Sequence, residues 1–312
     1  MRVHFELPAS RLGPCVLAVG SFDGVHPGHQ AVIGEVVAAA RGDGAEPVLI
    51  TFEPHPRCVV DPSRCPKSLT TLEEKLHLFQ GLEVGHAVVL NFTPALSRLT
   101  ADEFMSRLLA ALDLRLLVAG ADFALGHRRL GDLAWLRDHG SRHGYRVEVV
   151  EPVAGDEGEL HSSELRRLVT AGDLPRANRL LGREYSIAGL VQPGDRVGRR
   201  LGFPTANIAV PPNKLVPALG AYAGRVRTDE GWFRAALSVG YRPTFEGTEL
   251  RVEAFLLDFE GDLYQRRIEL FFLRHLHDDL RFPSFEALAA QIREDVDQTR
   301  RLVSAQPGGD RG

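Results

Sequence analysis

The sequence predicts two domains of different class: an α/β domain with a mostly parallel sheet, followed by an antiparallel β-sheet or barrel that ends in a helix. Three observations support this prediction. The chain has 312 residues, about twice the length of an average domain. In the first half, short apolar runs alternate with helical patterns, which is typical of a parallel sheet covered by helices. After about Arg183, strand patterns follow one another with Gly and Pro between them, which favours antiparallel pairing.

Five short apolar runs in the first half have the character of buried parallel strands. The helices between them carry their own boundary signals. Thr71 with Glu74 and Thr100 with Glu103 form two capping boxes, and the helix Gln30–Arg41 ends at Gly42. Because ligands bind outside the carboxyl ends of such strands, we expect a site in the segments that follow them. The predicted strands are Val16–Gly20, Val48–Phe52, Ala87–Phe92, Leu116–Gly120 and Val147–Val150.

The second half predicts five more strands and one helix. Residues Asp229–Gly231 suit a hairpin turn between two of the strands. The helix begins near Ser284, and its apolar stripe should pack on the sheet or close a barrel end. The last residues, 305–312, are expected to form a flexible tail. The predicted strands are Tyr185–Val191, Tyr222–Arg227, Phe233–Val239, Val252–Phe259 and Ile268–Leu273, and the stripe is Leu288, Ile292, Val296, Thr299 and Val303.

Composition restricts the class of function. With 44% apolar and 25% charged residues, the chain has the composition of an ordinary folded protein. A net charge of −4 without runs of like charge argues against nucleic-acid and membrane partners. The chain lacks a signal-peptide pattern. Cys15, Cys58 and Cys65 show neither CxxC nor zinc-finger spacing, so we expect free thiols in a cytoplasmic protein.

A first candidate site follows the first predicted strand. The segment Gly20–His29 opens the first helix, and His26 and His29 lie three residues apart, so both can converge at the N-terminus of that helix. Free N–H groups and the helix dipole suit a phosphate there. Imidazole donors would also stabilise the charge that develops as pyrophosphate leaves. The competing interpretation is a tight turn with two incidental histidines.

Two serines and an arginine near residue 165 suit the same chemistry. The Ser162 and Ser163 hydroxyls precede a short helix, where they can cap the helix or bind phosphate oxygens. Arg166 lies four residues after Ser162 and three after Ser163, and it would add positive charge. Helix capping alone explains the serines equally well.

The segment Gly194–Asn207 is the most informative stretch of the chain. Its glycines allow backbone N–H groups to approach phosphate oxygens. The Thr205 hydroxyl and the Asn207 carbonyl are hard oxygen ligands that suit magnesium carrying nucleotide phosphates. The alternative is an Arg-rich surface loop with a Pro turn.

These segments, in this order, resemble the bacterial bifunctional riboflavin kinase/FMN adenylyltransferase (FAD synthetase) family over nearly the whole chain. The resemblance implies a Rossmann-like nucleotidyltransferase domain at residues 1–183 and a flavokinase-like antiparallel barrel with a terminal helix at residues 184–304. The matching segments are Gly20–Gln30, Thr51–Arg57, Gly120–Gly126, Leu160–Arg166, Gly194–Asn207, Gly240–Phe245 and Val252–Phe259.

The resemblance also implies the chemistry. The barrel would phosphorylate riboflavin to FMN with ATP, and Glu253 would be the general base. The α/β domain would then adenylylate FMN to FAD and release pyrophosphate. Both steps imply Mg²⁺, and Thr205 and Asn207 would hold it in the kinase site. The implied partners are ATP, riboflavin and FMN, bound by a monomer or weak homo-oligomer. Strand periodicity alone also permits a solvent-facing Glu253.

The resemblance places the candidate residues in four groups. The catalytic candidates are Glu253, His26 and His29. The residues expected to bind ATP for adenylyl transfer are Gly20, Phe22, Asp23, Gly24, His26, His29, Ser162, Ser163 and Arg166. Those expected to bind Mg-ATP in the kinase are Gly194, Gly198, Arg199, Gly202, Pro204, Thr205 and Asn207. The flavin candidates are Phe52, His55, Pro56, Asp122, Phe123 and Arg242, although core packing also explains the two phenylalanines.

Two alternative functions stay open. His161 stands where the family usually has Ser, and His277 and Asp279 stand where it has Arg and Glu. These substitutions motivate the hypothesis that one half alone is active. A non-catalytic flavin or nucleotide sensor would lack the phosphate-handling residues, which this chain retains.

Overall fold

The structure is a computed structural model that divides into two compact units, Met1–Ser162 and Ser163–Gly312. Each unit is described by itself. The residues described are 1–152, 154–155, 158–159, 161–194, 197–244 and 247–304. The tail expected at 305–312 lies outside them. Among these residues, no helix has the length and apolar character needed to cross a bilayer.

Six parallel strands form the central sheet of the first unit, which confirms the predicted α/β class. The strands are β1 (Arg2–His4), β2 (Leu12–Val19), β3 (Glu46–Glu53), β4 (His86–Asn91), β5 (Leu112–Gly120) and β6 (Arg146–Val150). Their order across the sheet is β1-β4-β3-β2-β5-β6. Strands β3 and β4 are added on one side of β2, and β5 and β6 on the other, so the strand order switches sides between the neighbours β2 and β5. That change of side is the Rossmann-like switch point beside which ligands bind. A two-stranded ribbon follows, β7 (Ala154–Gly155) with β8 (Gly158–Glu159).

Helices cover both faces of this sheet. They are α1 (Pro27–Asp43), α2 (Pro56–Val60), α3 (Leu72–Gly81), α4 (Pro94–Ser97), α5 (Ala101–Ala111) and α6 (Leu133–His143), with 3₁₀ turns at Pro62–Arg64 and His127–Arg129. Both predicted capping boxes, Thr71–Glu74 and Thr100–Glu103, are present. The end predicted at Gly42 for the first helix is wrong, because the left-handed residue that stops α1 is Gly44, with φ of +61°.

Strand β2 shows how the core is divided. Its residues alternate between the two faces of the sheet. Leu17 and Val19 pack in one apolar cluster with Phe104 and Leu108 of α5, together with 14 other buried residues. Val16 and Ala18 pack on the opposite face in a cluster that includes helix α1. Both faces of the sheet are therefore buried, which leaves the loops at its carboxyl edge to bind a ligand.

The expectation of three free thiols is wrong for two of the cysteines. Cys58 and Cys65 form a disulfide, because helix α2 and the 3₁₀ turn after it fold the chain back on itself. Cys15 is free and buried in strand β2. The pair lacks CxxC spacing, and the odd number of cysteines gave no indication of which residues would pair.

The second unit is a closed six-stranded antiparallel barrel, which confirms the barrel and terminal helix. Its strands are β9 (Tyr185–Gln192), β10 (Ala206–Ile208), β11 (Gly220–Thr228), β12 (Gly231–Thr244), β13 (Gly247–Leu256) and β14 (Arg267–His277). Their order is β10-β13-β12-β11-β14-β9, and pairing of β9 with β10 closes the ring. The helices are α7 (Ser162–Thr170), which begins at the last residue of the first unit, α8 (Leu174–Leu181), α9 (Val197–Arg200) and α10 (Phe285–Leu302).

Two predicted boundaries of the second unit are confirmed, and several strand ends differ from the prediction. Thr228 pairs with Gly231 across the predicted hairpin turn. The Ser284 hydroxyl caps α10 by accepting the N–H of Ala287. The strand predicted to reach Phe259 ends at Leu256, whereas those predicted to end at Val239 and Leu273 continue to Thr244 and His277.

Candidate active sites

The carboxyl edge of the parallel sheet collects the first group of candidate residues. The segment Gly20–His29 follows β2, His55 follows β3, and Asp122 follows β5. Parallel strands end at the same edge of a sheet, so the topology brings these three segments to one side of the first unit.

The segment after β2 is a tight loop with unusual backbone geometry. Phe22 and Val25 both adopt positive φ, +46° and +42°, as does Gly24 at +85°. Non-glycine residues rarely adopt this region, and they persist there where their surroundings hold them. The Phe22 ring lies over Gly20, where an added Cβ would come within 3.1 Å of the ring.

Asp23 fastens this loop to the segment that leads into α3. Its buried carboxylate accepts the N–H groups of Leu69 and Thr70, each at 3.1 Å. The Gly24 N–H in turn donates to the Thr70 hydroxyl at 3.1 Å. The Asp23 carboxylate therefore holds the loop against the segment that precedes α3.

The two histidines meet at the N-terminus of α1. His26 is the N-cap residue of that helix, is 5% exposed, and stacks on His29 with ring centroids 3.7 Å apart. The His29 ring meets the edge of Phe22 at 5.5 Å. A Cβ at Gly28 would lie 3.2 Å from the His26 ring, so glycine leaves room for this arrangement. Two imidazoles and the helix N-terminus together suit an anionic ligand.

Ser162 contacts the same loop from the far end of the first unit. Its hydroxyl donates to the Asp23 carbonyl at 3.0 Å, across 139 residues of sequence. Ser162 therefore both begins α7 and hydrogen-bonds to the loop that carries the two histidines. Ser163, which is exposed, and Arg166, which is half-buried, follow it on α7 and belong to the second unit.

Lys75 lies beneath this loop and was missed by the sequence prediction. It is 5% exposed, and its ammonium donates to the Ser21 carbonyl at 2.7 Å. The sequence did contain a signal, because Lys75 falls on the apolar stripe of α3 that Leu72 and Phe79 define. A lysine among core positions needs buried partners.

The flavin candidates of the first unit also lie at the carboxyl edge. Phe52 and Phe123 are partly buried against the core, as core packing predicts, and Phe92 meets Phe52 edge-on at 5.3 Å. His55 caps α2 by accepting the Arg57 N–H. Two further candidates complete the set: Pro56 begins α2, and the Asp122 carbonyl accepts a guanidinium N–H of Arg129 at 2.5 Å.

The barrel brings together the three central candidates of the second unit. Strands β10 and β13 pair so that Asn207 lies directly opposite Glu253. The Thr205 hydroxyl donates to a Glu253 carboxylate oxygen at 3.0 Å. Glu253 is half-buried, whereas Val252 and Ala254 on either side of it are buried. The carboxylate therefore faces the Thr205 hydroxyl rather than open solvent.

The side-chain oxygen of Asn207 is a second candidate donor in this site. Its Oδ1 atom is buried, and no hydrogen bond reaches it from the described part of the chain. Such an atom is costly unless a ligand or ion completes it. Together with the Thr205 hydroxyl and the Glu253 carboxylate, it forms an all-oxygen donor set, which fits a hard cation such as Mg²⁺.

Close packing explains two glycines of this site. A Cβ at Gly194 would lie 2.2 Å from the side-chain Nδ2 atom of Asn207, and one at Gly198 would lie 2.3 Å from the backbone carbonyl of Phe203. Gly202 has φ of +85°. The exposed residues Arg199 and Pro204 lie on the same loop, and residues 195 and 196 are outside the described part.

The flavin candidate Arg242 and the substituted residue His277 both lie on strands of the barrel. The backbone of Arg242 lies in β12 opposite Glu249, but its side chain is outside the described part. His277, which replaces the arginine usual in the family, contacts the buried Asp295 carboxylate of α10 at 3.0 Å. This substitution therefore has a partner within the fold.

The chain combines a Rossmann-like sheet that carries two stacked histidines at a helix N-terminus with a barrel that carries a Thr–Asn–Glu cluster, an arrangement typical of a two-part transferase. The comparisons agree with this class. The FAD synthetase family model matches residues 9–164, and the riboflavin kinase model matches residues 181–303. The chain belongs to the bifunctional riboflavin kinase/FMN adenylyltransferase family.

Individual relatives extend over both units. The bifunctional riboflavin kinase/FMN adenylyltransferase of Listeria monocytogenes is 36% identical, covering 93% of this chain and 92% of its own. The Pseudomonas fluorescens protein of the same name is 37% identical, with 93% of each chain covered. A Streptococcus pneumoniae crystal structure, described as a macrolide-efflux protein, superimposes with a TM-score of 0.85 at 29% identity and covers 95% of both chains.

Proposed function

We propose that the two activities of this transferase are divided between the two halves, with adenylyl transfer at residues 1–183 and riboflavin phosphorylation at residues 184–304. One observation supports this division. Each unit carries a loop with phosphate-binding chemistry, Gly20–His29 in the first and Gly194–Asn207 in the second, and each loop lies inside the range matched by the corresponding family model. Since both models match, two activities are favoured over one.

In the kinase, Glu253 acts as the general base. The carboxylate accepts the proton of the riboflavin 5′-hydroxyl as that oxygen attacks the γ-phosphorus of ATP. The new O–P bond forms while the bond to the ADP oxygen breaks. The hydrogen bond from Thr205 holds the carboxylate in place, and such a base contributes about 10²–10⁴-fold to the rate.

Thr205 and Asn207 would hold Mg²⁺ in this site, because a hydroxyl oxygen and an amide oxygen are hard donors. When bound, Mg²⁺ neutralises charge on the nucleotide phosphates. Gly194, Gly198 and Gly202 let the loop backbone approach those phosphates. The other expected contacts are Arg199 and Pro204 toward ATP and Arg242 toward riboflavin.

In the first half, an FMN phosphate oxygen attacks the α-phosphorus of ATP, and pyrophosphate leaves. No protein base is needed, because the FMN phosphate is already anionic. His26 and His29, at the N-terminus of α1, align ATP and stabilise the charge on the leaving group. The remaining expected contacts are Gly20, Phe22, Asp23, Gly24, Ser162, Ser163 and Arg166 toward ATP, and Phe52, His55, Pro56, Asp122 and Phe123 toward FMN.

We also propose a cytoplasmic enzyme, monomeric or weakly self-associating, without nucleic-acid or membrane partners. Its net charge of −4 and the lack of charge runs support small-molecule partners. The Cys58–Cys65 disulfide is an exception to the reduced thiols usual in that compartment, so the cysteines do not support this location.

A product time course tests the proposed function. The full chain is incubated with riboflavin, ATP and Mg²⁺, and the flavins are separated by chromatography. We expect FMN first and FAD second, and both should depend on Mg²⁺. The appearance of no flavin nucleotide would reject the proposal.

A further inference from the structure

A buried ammonium lies directly under the loop that carries His26 and His29. The Lys75 Nζ atom donates to the Ser21 carbonyl at 2.7 Å and to the Thr51 hydroxyl at 3.2 Å. The Thr51 hydroxyl itself donates to the same Ser21 carbonyl at 3.1 Å. Three atoms from α3, β3 and the loop therefore meet at one point on the carboxyl edge of the sheet.

The loop does not need a charge for this hydrogen bond. Thr51 already donates to the Ser21 carbonyl, and burying an ammonium is costly. The cost is visible in the pKa of Lys75, which burial lowers below the ordinary value of 10.5, with Asp23 and Glu53 opposing the shift. An ammonium has three donors, and the described part of the chain uses two of them.

We propose that Lys75 is a positioning residue for adenylyl transfer, because it fixes the Ser21 carbonyl at the start of the loop and supplies a positive charge beneath it. The proposal rests on the assignment of this loop to ATP. A fixed charge in a water-poor site stabilises a polyanionic transition state without reorganisation when the reaction occurs. This role explains why the position holds a buried cation rather than a second neutral donor.

Two substitutions separate the charge from the hydrogen bond. Lys75→Met removes both and leaves Ser21 with its Thr51 donor, so the loop keeps an anchor. Lys75→Gln can still donate but carries no charge. Lys67→Met is the matched control, because Lys67 is exposed. For each variant, kcat and KM for FMN adenylylation are measured, with riboflavin phosphorylation by the same preparation as the internal reference.

We expect Lys75→Met to lower the adenylylation kcat about 100-fold and Lys75→Gln to lower it at least about tenfold, while kinase rates stay unchanged. If Lys75→Met fails to fold, Lys75→Gln decides. A Lys75→Gln enzyme with wild-type kcat would reduce the lysine to a structural donor and overturn the proposal. Loss of kinase activity in parallel would overturn it as well.

The pH profile adds a readout that a structural role does not predict. The wild-type adenylylation kcat should fall as the pH rises through a value below 10.5, and Lys75→Met should lack this limb. The fold does not weaken there through Lys75, because a lysine with a lowered pKa favours the folded state more once deprotonated.

The His29→Asn variant tests the assignment of the loop to ATP separately from the role of Lys75. If His29→Asn lowers adenylylation and Lys75→Met does not, the Lys75 proposal alone fails. If His29→Asn leaves adenylylation unchanged, the assignment of the loop fails and the Lys75 proposal with it.

Discussion

The Thr205 hydroxyl donates a hydrogen bond to the Glu253 carboxylate at 3.0 Å. The donor lies just before β10, and the acceptor lies on the neighbouring strand β13. Asn207 lies opposite Glu253 across these strands, and no hydrogen bond from the described part of the chain reaches its buried Oδ1 atom, so the proposed base and the proposed metal ligands lie at neighbouring positions of the barrel. The relationship makes Glu253 the most direct target for separating the two activities.

Replacing Glu253 by Gln should stop FMN formation while FMN conversion to FAD survives. The amide has nearly the same shape but cannot accept the hydroxyl proton, so we expect about a 10²–10⁴-fold loss of kinase kcat. Chromatography of separate incubations with riboflavin and with FMN measures the two steps. If a folded variant loses both activities, the division of labour is wrong.

Replacing Ser162 by Ala should slow adenylyl transfer. The variant loses the donor to the Asp23 carbonyl, and a hydrogen bond of this kind contributes about 1 kcal/mol. We expect about a five- to tenfold lower kcat/KM for FMN adenylylation and an unchanged kinase. Ser141→Ala is the control, because Ser141 is an exposed serine that donates to a local helix carbonyl. Equal effects of the two substitutions would contradict a special role for Ser162.

Reducing the Cys58–Cys65 disulfide should destabilise the first unit. Closing a loop of this length contributes about 2.5 kcal/mol in the chain-entropy model. Urea unfolding can be followed by Trp135 fluorescence in a Trp232→Phe background, with and without reductant. Cys58→Ser should show no response to reductant. Thiol titration of the denatured, unreduced chain should detect Cys15 alone, and three reactive thiols would contradict the pairing.

Acid should weaken the first unit through His139. Its pKa is lowered, first by burial and then by His143, so the unfolded chain binds the proton more readily than the folded one. Stability is fully present above the ordinary value of 6.5 and falls as the pH drops from there toward the lowered folded value. His139→Gln can still bond to Tyr145, and its urea unfolding should depend less on pH below 6.5. An identical pH dependence would exclude this histidine as the cause.

Regular elements could be predicted where local chemistry determines them. The apolar runs identified the five main strands of the parallel sheet, and the Thr71 and Thr100 capping boxes placed the starts of α3 and α5. The hairpin before Gly231 followed from its turn residues. In each case the signal and the structure lie within a few residues of one another.

Other features depend on distant contacts and left little local signal. Strand β10 has three residues inside a polar motif, and it exists because β9 and β13 flank it. The Cys58–Cys65 pair depends on a reversal of the chain between them. The apolar stripe of α3 indicates that Lys75 is buried, but its partners Ser21 and Thr51 are far away in sequence and could not be predicted from it.

The closure of the barrel has a consequence for how the second unit responds to nucleotide. Among the described residues, two register pairs, Asn207 with Gln192 and Ile208 with Val191, join β9 to β10, and the N–H of Ala209 just after β10 donates to the Leu190 carbonyl. The loop between these strands is the one proposed to hold Mg-ATP. A bound nucleotide would therefore stabilise the short pairing of β9 with β10 that closes the barrel. Nucleotide binding and folding of the barrel are then thermodynamically linked. A low ATP concentration would lower the free energy of unfolding of this half of the enzyme.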